Sequence, residues 1–179
     1  MNDLPGRLLD DYLRRHPGES ERVRRFRRLL EGPEALLRTG RPGHITASAL
    51  VLDPERTKAL LVRHRKLGIW LQPGGHVDGS RHWEQAARRE LREETGLAEC
   101  RGDGRILDLD IHAIPARKDE DAHDHYDVRF LFTADPGHPL RLSDESTDLR
   151  WVDADRIAEF TMEESILRML RKARSLRPR

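Results

Sequence analysis

Cysteine is almost absent from this 179-residue chain: Cys100 stands alone. One thiol closes no internal disulfide and supplies no thiolate cage for a metal. Aromatic residues are also scarce, at 5%, so a core must come mainly from aliphatic side chains. No apolar run approaches the roughly 20 residues that a bilayer-spanning helix needs. The N-terminus mixes Asp3, Asp10 and Asp11 with its leucines and lacks the basic, apolar and small-residue regions of a signal peptide. An excess of one charge is missing too, since 33 basic and 32 acidic side chains leave a net charge of +1. No global field therefore draws the chain to nucleic acid. The expectation is a cytoplasmic protein with no membrane partner.

Charge is nevertheless abundant, at 36% of residues, and locally uneven: Arg22, Arg24, Arg25, Arg27 and Arg28 crowd one short stretch. Residues 6–38 read as helical, with Leu8, Leu9, Tyr12 and Leu13, then Val23, Phe26, Leu29 and Leu30, at helical spacing. His16–Ser20 breaks the pattern, and Glu31-Gly32-Pro33 ends it. Residues 1–40 thus form an expected N-terminal helical extension, and 41–179 the main domain. Strands are predicted at Ile45–Leu52, Ala59–Arg63, Ile69–Gln72, Ile106–Ile114, Tyr126–Thr133 and Leu149–Val152, with a polar loop at Lys118–Asp124. A helix is predicted from about Arg81 to Thr95, with Ser80 or Asp78 near its N-cap and Gly96 closing it in the left-handed conformation. One or two further helices follow within 153–174. Strands alternating with helices place the chain in the α/β class.

The predicted helix over 81–95 carries the chemistry. Trp83, Ala87 and Leu91 form an apolar stripe joined by Ala86, so one face packs on a sheet. Glu90, Glu93 and Glu94 stand at i, i+3 and i+4 on its flank. Like charges so spaced repel by a few tenths of a kcal/mol in water, and by more where water is excluded. A cation between them resolves the conflict. Hard divalent ions take carboxylate oxygens and are commonly completed by substrate phosphates, which points to metal-assisted chemistry on a phosphate ester or anhydride. Gly74 and Gly75, before the helix, let backbone approach such a ligand closely.

The segment Gly75–Leu97 resembles the Nudix box: glycine, five residues, glutamate, seven residues, then Arg-Glu-apolar-any-Glu-Glu-any-Gly-apolar. Eight of its nine fixed positions match in register, after the lead-in Trp70-Leu71-Gln72-Pro73-Gly74-Gly75. The exception is Arg81, which stands where the first glutamate belongs. The resemblance implies an α/β/α sandwich with a mixed sheet, spanning about residues 45–160. It implies Mg²⁺ or Mn²⁺ held by Glu90, Glu93 and Glu94, with Gly74 offering backbone. It makes Glu93 the first candidate for general base and Glu94 its neighbour in the catalytic set. Arg89 would orient helix and loop by pairing with a carboxylate, for which Asp78 or Glu84 can replace the missing glutamate. Glu145, in the acidic loop 142–148, is a second candidate base, with a solvated turn as the alternative.

Substrate contacts are expected from Gly74, Gly75 and His76, from Arg63 within Arg63-His64-Arg65-Lys66, and from Arg129. Alternation along residues 123–130 puts His123, His125, Asp127 and Arg129 on one face. That face could line the substrate cleft, bind a transition metal, or be a solvated edge; Arg129 could fork onto a phosphate. The implied reaction is hydrolysis of a diphosphate bond in a nucleoside diphosphate derivative or a nucleoside triphosphate. Two alternatives stand beside it: a catalytically weak nucleotide-binding or regulatory module, for which Arg81 speaks, and an RNA 5′-end pyrophosphohydrolase, for which the arginine cluster speaks. That cluster has no interleaved aromatics, so a solvated or homodimer-forming helix is the preferred reading of it.

Overall fold

Every residue of β1 (Gly43–Leu52) is buried, as a strand covered on both faces requires. The structure, a computed structural model, describes residues 3–117 and 121–176. Along one edge of β1, β6 (His123–Thr133) runs parallel, in register from Gly43 opposite Asp124 to Leu52 opposite Thr133. The other edge is shared. A three-residue strand, β4 (Gly74–His76), lies antiparallel to Thr46–Ser48, and β2 (Lys58–His64) pairs with Val51 and Leu52. Outside β2 lie β3 (Trp70–Leu71) and β7 (Ser146–Asp153), and outside β6 lies β5 (Arg101–Ile114). One parallel pair among antiparallel ones makes the sheet mixed.

Alternation along β1 sorts the two layers. Ile45, Ala47, Ala49 and Val51 face α1 (Leu4–Arg15), α2 (Ser20–Leu30) and α3 (Trp83–Thr95), joined by Tyr126, Val128, Phe130 and Phe132 of β6. Trp83, Ala86, Ala87 and Leu91 are buried there, as the apolar stripe predicts. On the opposite face, Leu50 and Leu52 meet Ile166, Met169 and Leu170 of α4 (Glu164–Ser175). The architecture is the expected α/β/α sandwich with a mixed sheet.

The N-terminal helices are present, and α2 stops at Leu30, at the Glu31-Gly32-Pro33 break within the broader helical span of 6–38. Leu9, Tyr12, Val23 and Phe26 are at most 1% exposed and belong to the same core as α3. Their apolar faces are therefore buried within this chain. Most of the arginine cluster is paired with carboxylates: Arg22 with Glu19, Arg24 with Glu21, Arg25 with Asp124 and Arg27 with Asp10. No helix among the described residues is long and apolar enough to cross a membrane.

Other boundaries also shift. The N-cap of α3 is His82, without a side-chain cap, rather than Ser80 or Asp78; the Ser80 hydroxyl instead accepts the His82 N–H at 3.1 Å. Strand β5 begins at Arg101, ahead of the expected Ile106, and β6 begins at His123, inside the stretch expected as loop. Residues 118–120 of that expected loop lie outside the described residues.

Candidate active site

Two glycines and one helix make the site. Pairing of Gly74 with Ser48 and Gly75 with Ala47 lays β4 beside the buried centre of β1. The apolar stripe of α3 fixes the helix on that face, and Gly96, at φ 74°, ends it with its N–H on the Arg92 carbonyl. The flank bearing Glu90 and Glu94 then faces β4. A Cβ at position 75 would sit 2.5 Å from Glu90 Oε2, and one at position 74 would sit 2.3 Å from Ser48 Cβ. At position 74 the clash is with the backbone and Cβ of Ser48, so only glycine fits, whereas a side chain at position 75 would push the Glu90 carboxylate aside. The Gly74 N–H donates to Glu94 Oε1 at 3.2 Å.

These carboxylates are held out of water with little positive charge to match them. Burial pushes Glu90 up to about 7; Arg89 pulls the other way, while Glu93, Asp78 and Glu145 push it further up. Burial pushes Glu94 up to about 8, against the Gly74 N–H and with Glu90, Glu145 and Glu93 adding to the rise. Two half-buried carboxylates near a third, Glu93, whose side chain is 53% exposed, form an oxygen-only donor set open on one side. That set fits a hard divalent cation, and the glycine cradle leaves it room.

Arg89 locks loop to helix. Its Nη2 donates to the His76 carbonyl at 2.7 Å and to Asp78 Oδ2 at 2.9 Å, and lies 3.1 Å from Glu90 Oε1. Its Nη1 reaches Glu93 Oε2 at 3.4 Å. Of the two substitutes weighed for the missing glutamate, Asp78 makes the contact. Glu84 instead pairs with Arg88 at 2.6 Å. Asp78 sits at φ 49°, a left-handed conformation that aspartate tolerates better than most residues. Arg81 is exposed.

Glu145 occupies the turn before β7, where its charge acts on both Glu90 and Glu94. That turn is pinned by Arg65, whose N–H donates to the Glu145 carbonyl at 2.8 Å and whose side chain reaches the carbonyls of Asp144 and Ser146. Sequence reading placed Arg65 in a basic cluster without seeing this anchoring. Arg63 is exposed at the same end of β2, with its Nε 3.4 Å from the Gly68 carbonyl. The His76 ring points to the face opposite Gly75, 5.0 Å from the His44 ring.

Arg129 does not fit the phosphate role expected of it. The residue is 2% exposed and every guanidinium nitrogen is engaged: Nε with Asp127 at 2.8 Å, Nη1 with Asp108 and the Ser165 carbonyl, and Nη2 with Asp110 at 3.2 Å. Arg168 and Lys172 of α4 complete the cluster through Asp108, which is fully buried. At Arg129 the polar face of β6 meets α4, and Arg129 ties sheet to helix. A cleft of about 1030 Å³ opens elsewhere, between Arg15, Arg101, Arg105 and His138, and none of the residues from 74 to 97 lines it.

A mixed sheet between two helical layers, with a glycine strand held against a glutamate-bearing helix, defines a Nudix-type α/β/α domain. The chain belongs to the NUDIX domain family, whose pattern it matches over residues 42–173. It is 30% identical, over 114 residues, to a putative 8-oxo-dGTP diphosphatase of Bacillus subtilis (strain 168); the match covers 64% of this chain and 69% of that protein. Two solved structures share the fold. An Ap4A hydrolase from C. elegans, in a binary complex, has a TM-score of 0.60 at 18% identity, covering 73% of this chain and 95% of that one. A NUDIX-family hydrolase from Clostridium perfringens has a TM-score of 0.55 at 23% identity, covering 75% and 98%.

Proposed function

We propose that this chain hydrolyses a diphosphate bond in a nucleoside diphosphate derivative or nucleoside triphosphate, with Mg²⁺ or Mn²⁺ held by Glu90, Glu93 and Glu94. The observation that carries the reading is the pair Glu90 and Glu94, half-buried against glycine backbone and pushed up to about 7 and about 8. Carboxylates so placed disfavour their own charge unless a cation joins them. Relatives named for diphosphatase and Ap4A hydrolase activity support the same class of substrate.

Bound there, the divalent ion supplies Lewis-acid polarisation of the phosphate oxygens and lowers the pKa of water. The chain's own residues do the rest. Glu90 and Glu94 hold the cation from the helix, and the backbone of Gly74 lets the diphosphate come close. Glu93, the most exposed of the three, accepts a proton from the attacking water at a carboxylate oxygen. Glu145 faces the same site from the opposite loop and is the second carboxylate able to take that proton. Arg89 keeps β4 and α3 in register by holding the His76 carbonyl and Asp78 together. Arg63, exposed near the end of β2, is the cation assigned to the outer phosphate. The test is a panel of nucleoside triphosphates and nucleoside diphosphate derivatives, assayed for product release with Mg²⁺, Mn²⁺ and chelator. Turnover of at least one member, only with divalent ion, is expected; no turnover of any member with either ion would favour the binding-module alternative.

A further inference from the structure

Five of the chain's nine histidines gather at one end of the sheet, on the face away from α3. The tertiary fold builds this group, since its five histidines come from four strands spread between residues 43 and 133. His44 enters from β1, His123 and His125 from β6, His76 from β4 and His112 from β5. Parallel pairing of β1 with β6 sets His44 directly opposite His125. The rings of His44, His123 and His125 lie 4.9–5.1 Å apart, centroid to centroid. One ring nitrogen from each of these three lies within 4.8 Å of the others.

We propose that His44, His123 and His125 form a second cation site, for a late first-row divalent metal such as Zn²⁺, separate from the glutamates. Ligand chemistry divides the two sites. Neutral imidazole nitrogen suits zinc, nickel and copper, whereas magnesium takes the carboxylate oxygens. Tautomers are already set for the role. His44 Nδ1 donates to the Gly40 carbonyl at 3.3 Å and His123 Nδ1 donates to the Asp121 carbonyl at 2.8 Å. A carbonyl only accepts, so each Nδ1 carries a proton, and in the neutral ring Nε2 is the nitrogen available as a metal ligand. Donation of the second ring N–H to a carbonyl is the usual outer-shell support of a metal-binding histidine.

The fit needs a small closure. Zn–N bonds of about 2.0–2.1 Å place tetrahedral ligands roughly 3.3 Å apart, so the rings must rotate inward from their present separation. His44 and His123 are at most 5% exposed, which keeps the site dry and its partners fixed. His76 lies 5.0 Å from His44 and 5.4 Å from His125, ring to ring, and borders the site from β4. A metal here would clasp β1 to β6 at the end of the sheet.

The test uses the metal-free 179-residue chain, titrated with Zn²⁺ in excess Mg²⁺. One equivalent of Zn²⁺ should bind the wild type and also the Glu90→Gln/Glu94→Gln double variant. His44→Gln and His125→Gln should each weaken it by at least the roughly 10–100-fold seen on losing an outer-shell partner alone. Titration with Co²⁺ on the unmutated chain reads the same site without relying on variants: imidazole proton resonances of His44, His123 and His125 should shift. Zinc that disappears in the glutamate variant and survives in the histidine variants would overturn the proposal. So would Co²⁺ that leaves those imidazole resonances in place.

Discussion

Arg89 and Asp78 meet at 2.9 Å, so the carboxylate that Arg89 holds across the loop comes from a residue outside the Nudix pattern. Asp78 lies three residues before Arg81 and closes the loop onto the helix from a left-handed turn. Its side chain is 59% exposed, so the pair adds at most about 1 kcal/mol to stability. Its effect should fall on the position of β4. Asp78→Asn keeps the turn and removes the charge, and should lower kcat by about tenfold or more with little change in melting temperature. Arg81→Glu should be neutral alone and restore part of the loss in the Asp78→Asn background. Steady-state kinetics on the three variants checks this; severe unfolding of Arg81→Glu would show that Arg81 has a partner of its own.

Metal-free stability should depend on pH in a defined direction. Glu90 and Glu94 have folded pKa values raised by burial to about 7 and about 8, above the ordinary glutamate value. Their protonated forms favour the fold, so that contribution is complete below about pH 4 and is lost as pH climbs through 7 and 8. Without divalent ion, the melting temperature should fall between about pH 6.5 and pH 8.5, above the range in which His125, His64 and His16, all lowered by burial, add stability as pH rises. The increment gained on adding Mg²⁺ should grow over the same window. His112, raised chiefly by its hydrogen bond to Asp110 against the effect of burial, works in the same direction, so Glu94→Gln isolates the carboxylate part. A slope unchanged in that variant would contradict the assignment.

Arg129 should prove a stability residue. Removing it leaves Asp127 and Asp108, both nearly inaccessible, short of a partner, and a buried pair broken on one side loses about 3–5 kcal/mol. Urea unfolding of Arg129→Leu should show a loss of that size, reduced where Arg168 and Lys172 still compensate Asp108. Substrate KM at a temperature where the variant remains folded should stay within a few-fold of wild type.

The N-terminal helices should matter to the whole domain. Phe26 is fully buried and meets Tyr126 edge-on at 5.2 Å, so Phe26→Ala should lose about 3–5 kcal/mol in urea unfolding. Leu9, Tyr12 and Val23 share that core, each worth about 1.5–3 kcal/mol when buried. A chain begun at Arg41 should therefore be poorly soluble or unfolded. A stable, soluble truncated chain would show that residues 1–40 pack as a dispensable layer.

Local pattern carried much of this in advance. The stripe Trp83, Ala87, Leu91 and the unbroken apolar run of β1 named the core faces of α3 and the central strand, because burial imposes period and composition directly. The alternation of residues 123–130 was also legible, with Tyr126, Val128 and Phe130 in the core. What could not be read was the cover on the other side. Only the docking of α4 shows that Arg129 is sealed in, and only the β1–β6 pairing brings His44 to His125. Strand β4 was missed because its two glycines signal a loop by composition, while their pairing to β1 is tertiary. Likewise Asp78 and Glu84 were equal candidates for Arg89 by sequence distance, and the left-handed turn at Asp78 decided between them.

The most direct measurement is the turnover rate of Glu93→Gln against wild type on a diphosphate substrate found active in the panel, with and without Mg²⁺. Glutamine keeps the shape of the side chain and removes the carboxylate proposed to bind the ion and accept the proton. A loss of about 10²–10⁴-fold in kcat is expected, within the range for a general base, with the fold intact by circular dichroism. Wild type in excess chelator should fall to background. Turnover in Glu93→Gln equal to wild type, or wild-type activity that survives chelation, would contradict the proposed chemistry.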